Sequence, residues 1–243
     1  MPEVSEIIMK QRIKINGFII LCAFVLIVAF PGIFLRNERA GGLESIAEVL
    51  GLAAILLGQI LRVSARGYKA ENSKQSQALI QGGPYSLVRN PMYLGILLIG
   101  LGMVLMLFQW WVAVVFTGFF IIRYISLIFK EEKKLLGFFP KEYPDYIRRV
   151  PRILPSLQSL FKKDIAEYFP LKPRWLKREI GSISAVLLVA IALEAWEDIS
   201  AEGLKPYLNE AFAMIIMIML FTCLALYLSK MSYEKTKNVS IQG

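Results

Sequence analysis

Two stretches of this 243-residue chain combine residue types and spacing suited to chemistry. The first runs from Gly82 to Gly95. Gly82-Gly83-Pro84 is a turn signal, Arg89 and Asn90 precede Pro91, and proline is well placed in the first turn of a helix. A loop entering a helix leaves backbone N–H groups without intrahelical partners, which suits a carboxylate or phosphate ligand. The second stretch holds Arg123, then Glu131-Glu132, Phe139-Pro140, Tyr143, Tyr146 and Val150-Pro151-Arg152. Histidine is absent, which excludes Ser-His-Asp, Cys-His and His-ligated metal chemistry. Cys22 and Cys223 lie in apolar runs, where a thiol acts as a small hydrophobe, so neither a disulfide framework nor a metal site is expected. Carboxylates, tyrosines and arginines remain. Arg123 is the sole cation within an apolar run, where a charge is costly enough to suggest an acidic partner.

The elements that position these residues follow from composition. The chain is 56% hydrophobic and 19% charged, a membrane protein's balance. Runs of roughly the 20 residues a span needs occur at 17–35 and 43–61. No charge occurs between Arg89 and Arg123, a stretch too long for one crossing, so it must fold back near Gln109-Trp110-Trp111 as a helical hairpin with interfacial aromatics at its turn. Two further runs, 179–196 and 211–228, predict six helices. The first run is followed by others of similar length and lacks a small-residue cleavage pattern, so it reads as a span and not a leader. Alternate connections carry 24 of the 28 Lys and Arg and the others carry 3, which places both termini and both motif-bearing segments, 62–92 and 130–179, in the cytoplasm. The net charge of +9 then faces anionic lipid, and nucleic acid is not an expected partner. The fold class expected is an all-α, polytopic membrane protein. It divides into residues 1–42 (first helix and connection), 43–155 (core with the motifs) and 156–243 (connection and a C-terminal helix pair).

Taken in order, the motifs resemble those of the isoprenylcysteine carboxyl methyltransferase and phospholipid methyltransferase superfamily of integral membrane enzymes. Its first motif is similar to Gly83, Tyr85, Arg89, Asn90, Pro91, Tyr93 and Gly95; its second to Glu131-Glu132, Phe139-Pro140, Tyr143, Tyr146 and Val150-Pro151-Arg152. The resemblance covers residues 43–155 and implies S-adenosylmethionine as cofactor. It also implies that Gln77, Ala78, Leu79, Ile80, Gly83 and Tyr85 line the cofactor pocket, that Arg89, Asn90, Pro91, Met92 and Tyr93 continue it, and that Glu131, with Glu132, binds the cofactor. The catalytic set it implies is Arg123, Tyr93 and Glu131. An acceptor-linked arginine of the family falls on Leu127, and Arg123 lies one helical turn earlier, so Arg123 and Leu127 are the expected acceptor-binding positions. Asn90 stands where the family has histidine and Pro140 where it has glycine; asparagine can donate a hydrogen bond but cannot titrate near neutral pH.

The activity implied is methyl transfer to a lipophilic acceptor: an isoprenylcysteine carboxylate, a phospholipid amine, or a smaller lipophilic acid, thiol or amine. Two other functions are compatible with parts of the pattern. One is an NADPH-dependent sterol-type membrane reductase, which shares the Arg-x-Pro-x-Tyr-x-Gly element but would not call for a glutamate pair. The other is a non-catalytic membrane protein retaining the fold, which Asn90 and Leu127 would permit. Single residues have simpler readings too. Glu131-Glu132 can pair with Lys130, Lys133 and Lys134 on a solvated helix end, and Arg123 can snorkel to headgroups. Tyr143 and Tyr146 can be packing residues. Arg148, Arg149, Arg152, Lys162 and Lys163 read as charge facing anionic lipid.

Overall fold

The computed structural model describes residues 25, 29–35, 42–75, 78–156, 165–201, 212, 215–216, 218–227 and 229–231. Among them the elements are all helical: α1 (Pro31–Phe34), α2 (Gly42–Gln75), α3 (Pro84–Leu87), α4 (Pro91–Leu107), α5 (Trp110–Phe138), α6 (Tyr143–Arg149), α7 (Ile165–Tyr168) and α8 (Pro173–Ala201). Residues 218–227 form a further helical stretch.

The uncharged run breaks where its length demanded, at Phe108-Gln109 between α4 and α5. The Gln109 N–H donates to the Phe34 carbonyl at 3.0 Å, its side-chain amide donates to the Leu35 carbonyl at 3.2 Å, and Phe34 packs on Trp111. Trp110, 76% exposed, occupies the tip of this hairpin.

Two described helices are long and apolar enough to cross a bilayer, 46–73 within α2 and α5 itself, while α4 and the stretch 218–231 are apolar but shorter. The run 17–35 falls largely outside the described residues. The expected span at 179–196 lies inside α8, whose first turns carry Arg174, Lys177, Arg178 and the buried Glu179. Helix α2 also runs 14 residues past Leu61, so the segment expected to leave the membrane at Arg62 begins as helix. No proline interrupts it between Leu61 and its end at Gln75, and Val63, Ser64, Ala65 and Gly67 bury one face. At 34 residues it is about 50 Å long.

That buried face explains how α8 is held. Arg66 Nη1 lies 2.7 and 2.9 Å from the two Glu179 carboxylate oxygens, and Arg62 donates to Ser182 Oγ at 2.6 Å and to Glu179 at 3.4 Å. One turn outward, Lys172 and the Trp175 indole both donate to Glu71, at 2.5 and 2.9 Å, and the Trp175 ring covers Gly67. Pairing of this kind lets charges lie against an apolar helix face without an uncompensated desolvation cost.

Helices α2 and α4 form the centre of the molecule, in antiparallel register. Gly51 faces Gly102 and Gly58 faces Gly95; a Cβ on Gly51 or Gly58 would lie 2.7 Å from the opposing carbonyl, and one on Gly95 2.8 Å from the Gly58 carbonyl. Small residues let helix backbones approach this closely, and van der Waals packing then supplies the association that the hydrophobic effect does not provide inside lipid. Gly95 closes the first motif, so its presence follows from packing. Gly95→Val should force the helices apart at a cost of about 1–3 kcal/mol, read as a lower melting temperature in detergent; an unchanged melting temperature would show that the helices do not pack through this pair.

Candidate functional site

The two motifs meet at the end of the α4–α5 pair. The chain enters through Gly82-Gly83, which lie against the Tyr68 ring of α2; Gly83 has φ 57°, a left-handed value that favours glycine, and a Cβ there would stand 2.9 Å from Tyr68 Cδ2. The Tyr85 and Ser86 N–H groups donate to the Gly82 and Gly83 carbonyls, which turns the chain into α3. Leu87 and Val88 are buried with Leu61, Leu94 and Tyr168, so α7, from beyond the second motif, supports the loop from below.

Segment 150–153 then closes over the first motif. The Arg89 N–H donates to the Pro151 carbonyl at 2.8 Å, and both the backbone N–H and the side-chain amide of Asn90 donate to the Arg152 carbonyl at 3.1 Å. The Asn90 carbonyl accepts from the Tyr93 and Leu94 N–H groups. These four N–H groups, which a helix entry could have offered to an anion, are thus committed internally, and Asn90 works here as a backbone staple.

Glu131 and Glu132 diverge, as neighbours on a helix must. Glu131, on the exposed side of α5, accepts a hydrogen bond from Tyr93 Oη at 2.8 Å, and among the described residues no basic group pairs with it. Tyr93 packs on Tyr124, which stacks on Phe120 at 4.3 Å between centroids. Glu132 is 8% exposed and lies between two guanidinium groups: Arg152 donates to both its oxygens at 3.0–3.2 Å, and Arg89 Nη2 is 3.2 Å from Oε1. Arg152 also lies over the Phe129 ring at 4.4 Å. Glu132 therefore joins the first motif, α5 and the second motif, and Arg152, read from sequence as lipid-facing charge, is part of that clamp.

The tyrosines around this clamp are neutral phenols. Burial raises Tyr85 well above the ordinary range, with the Glu131 charge adding to the rise. Burial pushes Tyr143 up to about 12, assisted by Glu132 and opposed by Arg89 and Arg152. Tyr146 is raised by burial and donates to the Tyr85 carbonyl at 2.7 Å, tying α6 to the loop. A phenol whose folded pKa exceeds its unfolded value stabilises the fold fully below the unfolded value, 10.0, and that contribution is lost as pH rises toward the folded value. Helicity in detergent should hold up to about pH 10 and fall between pH 10 and 12, and Tyr143→Phe should flatten the fall. An unchanged slope in that variant would remove Tyr143 as its source.

Of the other expected site residues, Gln77 lies outside the described residues. Ala78 is exposed, Leu79, Ile80 and Met92 are half-buried, and Pro91 is buried at the start of α4. Arg123 is exposed on α5 two turns before Glu131, between the exposed Ile122 and the half-buried Tyr124, and Leu127 is half-buried between them. Tyr93, Glu131 and Tyr85 are brought together. Sequence reasoning missed Tyr68 beneath the glycine pair and Arg152 on Glu132. The signal for the second was partial: Arg152 closes the second motif, twenty positions after Glu132.

Residues 46–142 match the family model of phospholipid methyltransferase, part of the isoprenylcysteine carboxyl methyltransferase-like membrane methyltransferases. The cobalt-zinc-cadmium resistance protein CzcN of Cupriavidus metallidurans is 33% identical over 113 residues, 46% of this chain and 50% of that protein. This chain thus spans about half the length of that curated relative. No solved structure matches.

Proposed function

We propose that this membrane protein is an S-adenosylmethionine-dependent methyltransferase acting on a lipophilic acceptor at the cytoplasmic face, with residues 43–155 as its catalytic core. The observation that carries the reading is the 2.8 Å bond from Tyr93 to Glu131, which unites two motifs 38 residues apart beneath a glycine turn. The family match supports methyl transfer, and the charge asymmetry of the loops supports six helices with both termini cytoplasmic.

The donor set fits the cofactor. A carboxylate with no basic partner among the described residues, beside aromatic rings, suits a positively charged sulfonium and amino group. When bound, S-adenosylmethionine supplies an electrophilic methyl group. The protein's part is positioning, which can account for roughly 7–11 kcal/mol of a displacement barrier. Tyr93 fixes the Glu131 carboxylate, Tyr85 contributes an uncharged wall, and Asn90 with Arg152 holds the loop in register. Arg123, exposed on α5 two turns before Glu131, is the cation that would meet an acidic headgroup or acceptor as it approaches laterally. A carboxylate or thiolate acceptor needs no base, so the absence of histidine is no obstacle.

The test is transfer of labelled methyl from S-adenosylmethionine into the lipid-extractable fraction of membranes containing the protein. Incorporation should exceed that of membranes carrying Glu131→Ala by at least tenfold. Equal incorporation would refute the proposal.

A further inference from the structure

The Gly82-Gly83 turn has no side chains of its own, and a glycine pair is entropically costly to order unless something outside it fixes the backbone. That support is the Tyr68 ring of α2. Both glycines lie against it, and a Cβ on Gly83 would stand 2.9 Å from Tyr68 Cδ2, too close for any side chain. Tyr68 packs in turn on the buried cluster of Ile60, Val63, Leu171 and Trp175, and the Trp175 ring fills the place a Cβ would take on Gly67, the residue before Tyr68. Trp175 is fixed by its surroundings. Its indole N–H donates to Glu71 at 2.9 Å, Lys172 Nζ lies 5.3 Å from its ring centre, and Ser64 Oγ donates to the Pro170 carbonyl at 2.7 Å. The same stretch of chain reaches the far end of the loop, where Tyr168 is buried with Leu87 and Val88. Residues 165–175 thus brace the loop at both ends, and all of them lie beyond residues 46–142, the part of the chain that matches the family.

We infer that residues 165–175 are a positioning element for the methyl donor, with Trp175 acting on the Gly82-Gly83 turn through Tyr68 and Tyr168 acting on its continuation through Leu87 and Val88. The inference rests on the proposed function and extends it past the shared core: donor affinity is set in part by chain that follows the second motif. A ligand that meets a loop already held in its bound form is spared the cost of ordering it, and a site is only as precise as the residues that lock its supports. Loosening the brace should therefore weaken donor binding in protein that is still folded.

The experiment is calorimetric titration of S-adenosylhomocysteine into the full chain in detergent, with the melting temperature of each variant taken in parallel. Tyr68→Leu, Trp175→Leu and Tyr168→Leu should each weaken binding by about fivefold or more, whereas Tyr68→Phe, which keeps the ring, should stay within about twofold of wild type. Leu52→Ala serves as the control for lost stability alone. It opens the core that Leu52 shares with Met106 and Leu107, about 24 Å along α2 from Tyr68, and should lower the melting temperature while leaving affinity within about twofold. If one of Trp175→Leu and Tyr168→Leu does not fold, the other decides. Wild-type affinity in Tyr68→Leu or in the folded variants of the brace, or an equal loss in Tyr68→Phe or Leu52→Ala, would overturn the inference and leave the methyltransferase reading intact. Failure of wild type to bind would overturn both.

Discussion

Glu132→Leu should unfold this protein more readily than any other single substitution at the site. The change removes one carboxylate from between Arg89 and Arg152 and leaves the buried Arg89, 7% exposed in its side chain, with an uncompensated charge. Breaking a buried ion pair from one side costs about 3–5 kcal/mol, whereas replacing the paired groups together with apolar residues of similar volume is near neutral. The double variant Arg89→Met, Glu132→Leu should therefore recover much of the loss seen by far-UV circular dichroism during unfolding. Both should bind S-adenosylhomocysteine poorly, since the clamp sets where the loop lies. A Glu132→Leu protein with wild-type stability would show that Glu132 does not join the motifs.

Glu131→Ala should behave in the opposite way. Its carboxylate is on the exposed side of α5 and has one hydrogen bond, from Tyr93, so the fold should lose no more than about 1 kcal/mol. Its effect should fall on the cofactor. A charge-assisted contact of about 1.5–3 kcal/mol corresponds to a ten- to hundredfold rise in KM for S-adenosylmethionine. Tyr93→Phe removes a hydroxyl that orients this carboxylate and should raise KM less, about threefold to tenfold. Neighbouring glutamates would thus separate into one that holds the fold and one that holds the ligand, and equal losses of stability in both variants would contradict that separation.

The difference between Glu131 and Glu132 was not legible in the sequence. Both are glutamates flanked by lysines, and the resemblance alone assigned both to the cofactor. What separates them is the 100° step between neighbours on a helix and the arrival of Arg152 from twenty residues downstream, which depends on how α6 returns. Local signals read well: the turn at Gly82-Gly83, the start of α4 at Pro91 and the break at Phe108-Gln109 are each written in residues that constrain their own backbone. Asn90 was read as a ligand-facing donor because its partner, the Arg152 carbonyl, lies 62 positions away. The extension of α2 past Leu61 was missed for a related reason: its buried face is covered by Leu171 and Trp175, and charge at Arg62 and Arg66 looked like the end of a span until Glu179 was seen beside it.

The central claim is that this chain binds a methyl donor where its two motifs meet. The most direct measurement is calorimetric titration of S-adenosylhomocysteine into the detergent-purified protein, with Glu131→Ala in parallel and NADPH as competitor. The account predicts saturable binding to wild type at one site per chain, weakened at least tenfold in Glu131→Ala and indifferent to NADPH. Saturable binding of NADPH with none of S-adenosylhomocysteine would contradict it, as would a Glu131→Ala protein that binds as wild type does.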